Sequence, residues 1–102
     1  MAFPARNHRI SLTDAAAMTR SWRERFPASP RAGAFHAEQV RELLMQPGCV
    51  AFRIYNGVNE KGEAQFILVG VDDKDRDMTD GVLLEFSFLC PPFCEDKSAL
   101  NA

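Results

Sequence analysis

The residues with the clearest chemical capacity are two cysteines and a histidine. Cys90 and Cys94 are separated by Pro-Pro-Phe, and His36 lies far upstream in the chain. Zinc sites use cysteine pairs spaced by two to four residues, but one pair supplies only half of a four-ligand set. The spacing is not the Cys-x-x-Cys of thiol oxidoreductases. His36 is the candidate third ligand, and His8 a conceivable fourth. The competing reading is a rigid Pro-Pro turn that packs Phe93 down, with Cys90 and Cys94 free or in a local disulfide. Cys49 is the third cysteine, and an odd count argues against a disulfide scaffold.

A second constellation is Arg53 and Tyr55, two apart and so on one face if the segment is extended. They are the candidate lining of a ligand or partner pocket, with Arg53 pairing an anion. Ordinary cross-strand packing is the plainer reading. Further on, Asp73, Asp75 and Asp77 alternate as in a calcium loop. The match fails at Met78, where glycine is required, and at Leu84, where the bidentate glutamate belongs. A solvated connection is the better reading. There is no Gly-rich phosphate loop, no His-Glu-x-x-His and no Gly-x-Ser-x-Gly elbow. Glu38 and Glu42 read as a solvated helix face. No residue is assigned a catalytic role, and no cofactor is expected beyond zinc in the metal reading.

These residues must be positioned by a small number of elements. Val50–Tyr55 and Phe66–Val71 are rich in β-branched and aromatic residues, and Asn59-Glu-Lys-Gly62 between them is a turn signal. Two registers are open. A four-residue turn pairs Tyr55 with Phe66. A bulge at Gly62 slips the pairing by one and brings Phe66 and Leu68 onto the face of Phe52 and Ile54. Residues 82–89 alternate, with Val82, Leu84, Phe86 and Phe88 on one side, and predict a third strand. A helix is the competing reading there.

Before the hairpin, Ser11 with Asp14 three residues on marks a helix start. Ala15, Ala16, Thr19, Trp22 and Phe26 then keep helical spacing, with Arg20, Arg23 and Glu24 outside. Phe26-Pro27 ends that helix. A second helix spans roughly 35–46 with Ala37, Val40, Leu43 and Leu44 as its buried stripe, and Pro47-Gly48 stops it. The expected fold is α+β: two N-terminal helices packed on a three-stranded antiparallel meander. In a meander, Cys49 lies on the order of 20 Å from Cys90, while the start of the second helix comes near Cys90. That placement is what joins His36 to the cysteine pair.

The chain has 102 residues, 46% of them hydrophobic and 25% charged, which suits one globular domain. Residues 1–10 read as an arm and 95–102 as a polar tail. No apolar run approaches the roughly 20 residues of a membrane helix, and no signal peptide is visible, so the cytoplasm is the default compartment. A net charge of -2 gives no general attraction to nucleic acid or an anionic membrane. Six arginines in residues 1–31 and seven acidic groups in residues 60–80 divide the charge unevenly. Opposed or solvated faces are the ordinary explanation, and a basic surface for RNA or an acidic partner the other.

The pieces Arg53-Ile54-Tyr55-Asn56-Gly57, Leu68-Val69-Gly70-Val71-Asp72 and Cys90-Pro91-Pro92-Phe93-Cys94 resemble a group of small bacterial proteins of no known activity. The resemblance runs from about Ile10 onward and implies no function. The residues themselves point to a small non-catalytic binding or interaction module that engages a protein partner or associates with itself. The alternative is the metal or reactive-thiol site of Cys90, Cys94 and His36.

Overall fold

The computed structural model describes residues 3–102. The elements in order are α1 (Leu12–Arg25), β1 (Ala32–Ala34), α2 (Ala37–Leu44), β2 (Cys49–Val58), β3 (Ala64–Asp72), β4 (Leu83–Leu84), β5 (Phe88–Cys90) and a 3₁₀ turn at Ala99–Asn101. The class is α+β, as the sequence predicts. The chain comprises two compact units. One comprises the described residues as far as Ala5 together with Ala34–Ser87, the other Arg6–Gly33 and Phe88–Ala102.

The first unit is built on the hairpin. β2 and β3 pair antiparallel with Tyr55 opposite Ile67, Ile54 opposite Leu68 and Val58 opposite Ala64, the second of the two registers. Gly62 has φ +79°, which lets the loop close without a Cβ clash. Asn59 organises the turn: its Oδ1 accepts from the N–H groups of Lys61 and Glu63, both at 3.0 Å. β4 pairs antiparallel with β3 through Leu84 opposite Leu68 and Leu83 opposite Val69, giving the order β2-β3-β4. Leu68 and Leu84 therefore share a face, and α2 packs on it through Leu43. Phe35, Val40 and Val82 border this core. Burial of each such leucine contributes about 1.5–3 kcal/mol. Ala37 and Leu44, expected in the buried stripe, are exposed.

The third strand is far shorter than residues 82–89. It stops at Leu84 because Phe86 takes φ +62°, in the left-handed region that a strand excludes. Phe86 is 78% exposed and Phe88 is also exposed, so neither joins Leu84 inside. β5 pairs with β1 in a separate two-stranded sheet.

Gln46 locks α2 to the loop before β4. Its Nε2 donates to the Leu43 carbonyl (2.7 Å) and its Oε1 accepts from Val82 N–H (2.8 Å). A Cβ at Gly81 would overlap Gln46 Oε1, and one at Gly70 would stand 2.9 Å from its Nε2. Glycine at both positions is what admits the amide.

The second unit contains α1, the first two residues of β1, β5 and the C-terminal residues. Ser11 caps α1 as expected, its Oγ accepting from Asp14 N–H (3.1 Å), and Phe26 ends the helix. No residue of α1 is buried. Its half-buried face is Ala15, Ala16, Thr19 and Arg23, while Trp22 and Phe26, expected inside, are exposed with their rings 4.4 Å apart. Arg23 is drawn in because α1 meets a polar partner, the 3₁₀ turn. Its Nη1 donates to the Leu100 carbonyl (2.9 Å) and its Nη2 to that of Ala102. The end of the segment read as a tail, residues 99–102, is thus folded onto the helix. Ile10, at the end of the segment read as an arm, is exposed.

Candidate functional site

Paired residues in an antiparallel ladder point to the same face. Phe52, Ile54, Leu68 and Leu84 define the face that carries α2. Arg53, Tyr55, Val69, Ile67 and Val71 define the other. After β3 the chain returns alongside it, Asp77 bridging Val71 and Met78 N–H donating to the Gly70 carbonyl (2.8 Å). That return puts Asp77 on the face of Arg53 and Tyr55. Arg53 Nη1 forms an ion pair with Asp77 Oδ1, and the Tyr55 hydroxyl donates to Asp77 Oδ2.

The structure therefore brings Arg53 and Tyr55 together and adds Asp77, which the sequence shows only as part of an acidic run. The ion pair crosses β3 diagonally, from opposite Val69 to opposite Val71, and both valines are buried on that face. Phe3 stacks on Arg53, with the guanidinium carbon 5.6 Å from the ring centroid, a cation–π contact. Hydrogen bonding to the Tyr55 oxygen, then to Asp77, holds the Arg53 pKa above its ordinary value against partial desolvation. Gln65, further along the same face, is 6% exposed, and among the described residues its Oε1 has no hydrogen-bond partner.

The acidic run does not gather round a cation-sized centre. Asp72 Oδ1 accepts from the N–H groups of Lys74 (2.9 Å) and Arg76 (3.0 Å), and Oδ2 accepts from Arg76 Nε (3.0 Å). The Arg76 N–H, ahead of the other donors, holds the Asp72 carboxyl below the usual carboxylate range. Asp77 is directed to Arg53 and Tyr55. Among the described residues no group of three His, Cys, Asp or Glu side chains is arranged to hold a metal ion.

The predicted metal residues are placed differently. Cys90 and Cys94 are joined in a disulfide in the second unit. His36 is the N-cap residue of α2 in the first unit. The strand that the sequence predicts over 82–89 ends at Leu84, so no continuous strand carries the chain on to Cys90. A metal-ligating cysteine is a thiolate, and in this state each sulfur is bonded to the other. Cys49 is the free cysteine, half-buried at the start of β2, with its thiol donating to the Ala51 carbonyl (3.2 Å).

The outer edge of β2 is the other feature of this unit. β2 has β3 on one side only. Among the described residues, the backbone of 52–58 makes no hydrogen bond beyond its hairpin. Val50, Phe52 and Ile54 are 62%, 43% and 56% exposed. Comparison of the chain with protein-family models, with curated proteins and with solved structures finds no match.

Proposed function

We propose that this chain is a small non-catalytic interaction module whose contact surface is β2, and that the strand it takes up is β2 of a second copy. The observation that carries this reading is a ten-residue edge strand, unpaired on its outer side among the described residues, with Val50, Phe52, Ile54 and Val58 among its exposed apolar side chains. Soluble proteins usually blunt such an edge with lysine, proline, a bulge or a covering element. β2 has no lysine or proline, its irregularity is confined to Cys49–Ala51, and its single charged residue is already paired with Asp77. Two antiparallel copies related by a two-fold axis would join their sheets into one and close the assembly. Like charges would not oppose this, since each Arg53 carries its own counter-ion. In this reading Arg53 and Tyr55 act as supports of the partner surface, fixing the strand from its opposite face.

Sedimentation velocity across a concentration series tests the proposal. The expected result is a monomer–dimer equilibrium that the double variant Phe52→Lys with Ile54→Lys shifts fully to monomer. Both positions are solvent-exposed, so circular dichroism and the melting transition should keep their native form. A monomer persisting at millimolar concentration, or a dimer indifferent to the double variant, overturns the reading.

A further inference from the structure

We infer that the Cys90–Cys94 disulfide is a reversible exchange centre, opened at Cys94 by a small thiol of the glutathione class, and that opening it releases the C-terminal turn from α1. The inference is independent of how β2 is used.

The bond joins residues only four apart. A ring this short constrains the unfolded chain less than a long one does, so stapling the fold is a weak reason for it. Its two sulfurs are unequally placed. Cys90 lies buried at the end of β5, whereas Cys94 is half-buried between exposed Phe93 and Glu95. Pro91 and Pro92 are exposed as well. Cys94 is thus the more exposed half of the bond and the side from which a solution thiolate approaches.

The bond also tightens a circuit. Arg31 N–H donates to the Cys90 carbonyl (2.7 Å), and Arg31 Nη1 donates to Asn101 Oδ1 (3.0 Å). Asn101 Nδ2 donates to the Glu95 carbonyl (3.3 Å), and Glu95 follows Cys94 directly. The main chain of residues 91–93 returns the path to Cys90, and the disulfide shortens that return by fixing residue 94 beside residue 90. Besides its own backbone hydrogen bonds and the Ser98 cap, the turn is held by exposed hydrogen bonds from Arg23, Arg31 and Asn101. Exposed polar contacts of this kind are individually weak, so the cross-link that fixes residue 94 beside residue 90 adds a restraint that they do not supply alone.

A thiolate attacks Cys94 Sγ, forming a mixed disulfide there, and the electron pair of the broken S–S bond leaves on Cys90 Sγ, which takes a proton from water. A second thiolate attacks the small-molecule sulfur of the mixed disulfide and displaces Cys94 as thiolate, which is then protonated. Two thiols become one disulfide, and two electrons pass to the cysteine pair.

The test uses the full chain without denaturant in buffers of varied reduced-to-oxidised glutathione ratio, with alkylation, mass spectrometry and amide hydrogen exchange as readouts. The alkylated thiol count should move reversibly between one, Cys49, and all three cysteines. The trapped glutathione adduct should map to Cys94. Amide exchange at residues 98–101 should accelerate about tenfold on reduction, as expected for local release. Cys94→Ser should show the fast exchange without reductant. A count that stays at one in excess dithiothreitol, an adduct mapping to Cys90, or exchange at 98–101 unchanged by reduction overturns the inference.

Discussion

Asp72 and Asp77 belong to one acidic run, yet they serve opposite ends of the same small device. Asp72 bends the chain back at the end of β3, and Asp77, carried beside β3 by that bend, meets Arg53 and Tyr55. The carboxyl of Asp72 is held low by the N–H of Arg76 first, with Lys74 N–H and the Arg76 guanidinium adding to it. Because the folded pKa lies below the unfolded one, the contribution is fully present above the unfolded pKa. It is lost as pH falls through the folded value. Carboxyl-carbon NMR titration should therefore give Asp72 a midpoint below the ordinary aspartate range, with the Lys74 and Arg76 amide shifts moving in step. A midpoint at or above that range would show that the bend is not held this way. What the sequence discloses at this scale follows from period: Arg53 and Tyr55 are two apart on a strand, so their shared face was legible. Asp77 was not, because its arrival depends on a chain reversal that alternating aspartates do not encode. The exchange of Trp22 for Arg23 on the inner face of α1 has a similar cause. Apolar spacing puts the tryptophan inside, but α1 packs on a turn rich in open carbonyls, and those call for the guanidinium.

Among the elements, the hairpin and both helices were readable because local signals agree: β-branched runs about an Asn–Gly turn, a serine cap, a Pro-Gly stop. The segment 82–89 departs from the strand its alternation predicts because its backbone is not extended throughout. Phe86 at φ +62° turns the chain out of the sheet after two paired residues. Left-handed geometry costs a non-glycine residue roughly 1–2 kcal/mol, and Phe86 recovers little of this by burial, being 78% exposed. Glycine would avoid that cost while adding about 0.5–1 kcal/mol of unfolded-chain entropy. Phe86→Gly should then raise the unfolding free energy by roughly 0.5–1 kcal/mol, read from urea denaturation at constant m-value. A fall in stability would mean that the exposed ring makes a contact worth more than the backbone penalty.

Across the whole chain, an average hydrophobic content conceals a very uneven distribution of burial. Leu43, Leu68, Val69, Val71 and Leu84, with Gln65 and Ser87, are buried in the first unit, whereas Cys90 alone is buried in the second among the described residues. α1 is the longest helix, but its half-buried face is two alanines, a threonine and an arginine. Helices of this length are marginal in water without an apolar face to pack. β3, by contrast, is hydrogen-bonded to strands on both sides and contains Leu68, Val69 and Val71. Opening free energies within a native protein track buried apolar contact and backbone protection. Native-state hydrogen exchange should accordingly find the β3 amides from Leu68 to Val71 opening only with global unfolding. Those of α1 should open at a lower free energy, with little dependence on denaturant. Lowering pH towards the Asp72 titration should loosen residues 72–78 before it reaches the centre of β3. If α1 exchanged as slowly as β3, the second unit would owe its order to something other than the burial and hydrogen bonds described above, and the weight given to its disulfide would fall with that result.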